Sequence, residues 1–117
     1  MAAVFTTTDT WHDSKRLHVV GTLALSGTYP AAGGEVLNLA GVKGVLSSLP
    51  PVWGMIKGVS GFIYEWLVGT TIANGAVKVR VNTTPGVNSP FPEHTNVAYV
   101  AGVTGDSINF HFIFKLR

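Results

Sequence analysis

The residues of this chain best suited to acid–base or metal chemistry are its four histidines and six carboxylates. The histidines are His12, His18, His94 and His111. No two stand at His-x-His or His-x-x-x-His spacing, and no acidic cluster accompanies them, so the spacing predicts no metal site. His12-Asp13 is at most a weak pair of ligands. The carboxylates Asp9, Asp13, Glu35, Glu65, Glu93 and Asp106 are thinly spread. A glycosidase needs two of them facing each other across a cleft. Glu65, set in an aromatic strand, is the one candidate, and a satisfied polar residue on an outer strand face explains it more simply. There is no Gly-x-Ser-x-Gly, and Ser60 lies in the turn sequence Gly58-Val59-Ser60-Gly61. Phosphate-cradling and dinucleotide fingerprints are missing too. With no cysteine, disulfides and thiolate sites are excluded. The chain is therefore expected to be no enzyme and to use no cofactor or metal.

Aromatic residues are the remaining functional candidates. Trp11, Trp53, Trp66, Tyr29, Tyr64 and Tyr99 could form a sugar-stacking platform or anchor a protein interface. Core packing best explains Tyr64 and Trp66. Trp11, Tyr29 and Phe91 sit in arm or loop sequence and are the expected partner contacts.

Composition narrows the class. A chain of 117 residues suits one domain and buries enough surface for a core of its own. Asp, Glu, Lys and Arg make up 12% and hydrophobic residues 46%. Such a balance argues against disorder and fits a surface partly covered by neighbours, or simply a small β domain rich in Gly, Thr and Val. The net charge is +2 and the basic residues are scattered, so no nucleic-acid groove is expected. The longest uncharged run, 17–34, is broken by His18, glycines and Pro30, so no membrane helix is expected. The first residues lack the basic and apolar regions of a secretory signal.

Period-two patterning dominates the elements. Leu17, Val19, Leu23 and Leu25 share one strand face. Residues 36–39 form a short strand. Residues 52–57 and 62–68 read as two strands joined by Gly58–Gly61 at hairpin spacing. Asn74-Gly75 fits a type I′ turn joining 70–73 to 77–81, with Val77, Val79 and Val81 facing inward. Residues 83–95 are a long irregular loop, and 97–103 a further strand. Ile108, Phe110, Phe112, Phe114 and Leu116 alternate without a break and predict a central strand. Residues 1–15 form an N-terminal arm or edge strand, and 16–117 a single β domain. The fold class is all-β: an antiparallel β-sandwich or jelly-roll-like barrel of seven to eight short strands.

The layout also resembles a family. Gly27-Thr28-Tyr29, Gly33-Gly34 leading to Leu37-x-Leu39, and Pro51-Val52 running to Gly58, Gly61, Phe62 and Tyr64 open the pattern. Lys78-Val79, Gly105-Asp106-x-Ile108-x-Phe110 and Phe114-Lys115 complete it. Together they resemble the small virion proteins of tailed bacteriophages, in particular capsid decoration (cement) proteins. That resemblance implies a jelly-roll-like fold, a homo-oligomer, often a trimer, and binding to the outer surface of the major capsid protein on the virion. The other classes weighed are a head fibre base, tail adaptor or receptor-binding protein, and a carbohydrate-binding module.

Overall fold

The computed structural model describes residues 3–13, 15–30, 33–42, 49–81, 92–95 and 97–115. Seven strands are present among them: β1 (Ala3–Asp13), β2 (Arg16–Leu25), β3 (Glu35–Leu37), β4 (Trp53–Lys57), β5 (Ile63–Leu67), β6 (Gly75–Arg80) and β7 (Ile108–Lys115). A single helical turn, α1 (Ala101–Thr104), precedes β7. A four-stranded sheet has the order β1-β2-β7-β4, and a three-stranded sheet the order β3-β6-β5. All strand pairings are antiparallel. The sheets face each other across one core, in an open sandwich-like arrangement.

The alternating strands build that core. Leu17, Val19, Leu23 and Leu25 of β2 are buried, as are Val77 and Val79 of β6. On β7, Ile108, Phe110, Phe112 and Phe114 are buried, and the strand lies between β2 and β4 as its pattern predicts. Gly21 and Gly54 face the same interior. A Cβ at Gly21 would lie 2.0 Å from the Thr6 carbonyl oxygen, and one at Gly54 2.6 Å from the Phe112 ring. Both glycines serve close approach. Leu116 of the predicted central strand lies outside the described residues.

Three predicted elements differ. First, residues 52–57 and 62–68 do not form a hairpin: β4 pairs with β7, and β5 with β6 in the opposite sheet. The link 58–62 is an arch between sheets. Asp106 holds it, its carboxylate accepting hydrogen bonds from Val59 N (3.0 Å), Ser60 N (3.1 Å) and the Tyr64 hydroxyl (2.7 Å). Second, Asn74-Gly75 is not a type I′ pair, because the positive-φ glycines described are Gly27, Gly33, Gly34 and Gly61. β6 pairs instead with β5, across a longer turn in which the Asn74 side-chain oxygen accepts from Thr70 N and Thr71 N. Gly75 lies under the Trp66 ring, where a Cβ would stand only 2.2 Å from the indole. Third, residues 97–103 form no strand. Ala98 makes an isolated bridge to Thr28, and the chain then turns into α1.

Asp106 gives the arch a pH dependence. Burial pushes its carboxyl up, but the hydrogen bonds from Tyr64, Val59 and Ser60 outweigh this and hold it below its ordinary value. A depressed carboxyl contributes stability above its unfolded pKa, near 4, which is lost as pH falls through the folded value. Asp106→Asn is expected to cost about 1–3 kcal/mol at neutral pH. It should also flatten the acid limb of stability below about pH 4, a change read by urea unfolding at a series of pH values.

Candidate functional site: an aromatic–histidine strip on the outer sheet face

A one-residue irregularity in β1 creates the site. Phe5 points inward and packs edge-on against Phe110, with ring centroids 6.1 Å apart. Strict alternation from Phe5 would turn Thr7, Asp9 and Trp11 inward as well. The register instead slips between Thr7 and Asp9: Thr7 pairs with Gly21 and Asp9 with Val20. Thr8 is the extra residue of a β-bulge, and its hydroxyl donates to the Val20 carbonyl (3.3 Å). Beyond it the parity is reversed, so Trp11 pairs with His18 and faces outward.

Four strands then place one strip of rings across the outer face. Trp11 lies flat on His18, with centroids 4.9 Å apart and planes 9° from parallel. His18 on β2 meets His111 on β7, with centroids 5.3 Å apart. Trp53 on β4 approaches His111 edge-on at 5.3 Å. Trp11 is 42% exposed and Trp53 44%, and Met55, on the same face of β4 as Trp53, is exposed as well. Such an apolar row on an open sheet face is unusual for surface that meets only water.

At its centre, His18 Nδ1 and His111 Nε2 are 3.1 Å apart. The centroid distance is close to that separation plus two ring radii, so the rings meet head-on. That is the geometry of an N–H···N hydrogen bond; the two lone pairs do not converge on a common point as a chelate requires. Asp13 Oδ2 lies 3.8 Å from His18 Nε2, beyond hydrogen-bond range. Burial, and then the neighbouring His18, hold His111 below the ordinary histidine value. Among the described residues, no group of three or more His, Asp or Glu is placed to hold a metal ion. No described helix is long and apolar enough to cross a membrane.

Of the expected contact residues, Trp11 belongs to the strip. Tyr29 is a correction: it is fully buried, and its hydroxyl donates to Glu93 (2.5 Å) and accepts from Val79 N (3.3 Å). Burial and the Glu93 bond push that hydroxyl well above the ordinary tyrosine range, so it stays protonated. Its ring packs with His94 and Tyr99, whose hydroxyl donates to Glu35 (2.8 Å). His94 is buried, with Nδ1 against the Thr95 carbonyl and Nε2 accepting from Val100 N. This second cluster has its polar atoms satisfied and ties loops to the core. Phe91 lies outside the described residues. Glu65 pairs with Arg80, on the three-stranded sheet. Sequence reasoning offered Trp53 as a candidate aromatic without placing it among the expected contacts, and it missed the pairing of His18 with His111. The available signal was that Trp53, His18 and His111 all fall on the polar side of alternating strands.

Comparison of the chain with protein-family models, with curated proteins and with solved structures finds no match to any of them.

Proposed function

We propose that this protein is a structural assembly subunit with no catalytic role, which docks through the outer face of its four-stranded sheet. The single observation carrying this is the strip Trp11–His18–His111–Trp53, with two half-exposed indoles fixed on a rigid sheet. Tryptophans held in place by neighbours lose little freedom on binding, and they dominate the energetics of protein interfaces. The more specific proposal is a capsid decoration protein of a tailed bacteriophage, a homo-oligomer, with a trimer favoured, that binds the major capsid protein on the virion surface. It rests on the sequence resemblance.

The strand order supports a jelly-roll-like fold within that proposal. Successive strands β2, β3, β4 and β5 alternate between sheets, and β6 and β7 return beside β3 and β2. Among the described residues, β2–β7 are compatible with the nested path of a rolled-up hairpin, with two strands fewer than the usual eight-stranded form and β1 added at the edge.

Pelleting with undecorated phage shells and mass measurement in solution test the function. Saturable binding by an oligomer is the expected result; a strict monomer that stays in the supernatant would reject it. Several contacts per oligomer would give tight attachment from weak single interfaces. Two indoles on one face also suit a carbohydrate-binding module, and glycan-array signal without shell binding would favour that reading instead.

A further inference from the structure

We propose that the His18–His111 pair is a proton-operated latch, closed while one hydrogen sits between the facing nitrogens and opened when both rings are fully protonated, which frees Trp11 and Trp53 from the sheet. The argument is stoichiometric. When both rings are neutral, the 3.1 Å contact accommodates one N–H facing one lone pair. A first added proton leaves it intact, because a cationic ring still donates to a neutral one. A second removes the last lone pair and sets two N–H groups head to head, which no rotation about a linear contact relieves.

What the latch controls follows from the packing. Trp11 is stacked on one ring of the pair and Trp53 stands against the other, so separating the rings removes a support from each indole. The surroundings set the balance. From β1, Asp9 and Asp13 face the pair; from β2, Arg16; from β7, Lys115; and from β4, Lys57. Asp13 is near, 3.8 Å from His18 Nε2, while burial and the neighbouring His18 hold His111 below its ordinary value and so make a second proton hard to add. The strip is the same surface as the proposed docking face, but the latch is a property of the isolated chain and does not depend on what binds there.

The test uses the full chain alone, titrated from about pH 8 to about pH 4.5. Acrylamide quenching of tryptophan reports indole exposure, and nitrogen NMR of the histidine rings reports the shared hydrogen. The quenching constant is expected to rise about twofold in one step as the pH falls through this window, since indoles 42% and 44% exposed have about that much left to gain. The step should disappear in both His18→Gln and His111→Gln, while far-UV circular dichroism of the wild type stays constant. An unchanged step in either variant would overturn the latch. So would two independent ring titrations at ordinary values, a flat quenching profile, or global unfolding in the same window.

Discussion

Phe112→Ala is expected to destabilise the protein by about 3–5 kcal/mol, the usual cost of emptying a phenylalanine site in a core. Phe112 is fully buried at the middle of β7, the strand flanked on both sides. Its ring meets Trp66 of the opposite sheet at 4.8 Å and Phe110 at 5.1 Å. Across the strand pair stands Gly54, so the ring occupies the volume that a side chain there would fill. Truncation therefore opens a gap bordered by a glycine and two rigid rings, which have little means of closing it. Domains of this size are stable by about 5–15 kcal/mol, so the midpoint of urea unfolding should fall by about a fifth or more with an unchanged slope. A loss under about 1 kcal/mol would mean that the sheets are not joined through this ring.

The second large effect is expected on docking rather than folding. Trp11→Ala and Trp53→Ala each remove a half-exposed indole, so thermal melts of the free protein should move little. Shell binding should weaken by about thirtyfold or more for each, the range of a central aromatic anchor. Both indoles touch His111, so the double variant should lose less than the product of the two effects. Sedimentation of shells with increasing protein measures this. Unchanged binding accompanied by a large drop in melting temperature would make the tryptophans part of the fold and not of the interface.

What the sequence made legible was governed by local periodicity. The faces of 17–25, 77–81 and 108–114 were readable because burying every second side chain leaves an unambiguous record. Pairing partners left no such record. A four-residue glycine-flanked link suits a hairpin or an arch equally well; here the choice is fixed by Asp106, which reaches Val59 from 47 positions away. Tyr29 reads as loop by its neighbours, yet its hydroxyl partner Glu93 is 64 residues on. The aromatic–histidine strip was the least legible. It requires the bulge at Thr8, in a run of threonines where no glycine or proline marks the slip, and a β2–β7 register that brings two distant histidines together.

That bulge has a second consequence, for crowding. β1 is an outermost strand eleven residues long, and most of it is exposed. A straight flank of this length would let copies at high local density zip together sideways into ribbons. The slip divides its ladder into five rungs on either side of Thr8 and bends the strand between them. Copies of the chain crowded together can thus stay discrete, with no long straight ladder along which to join.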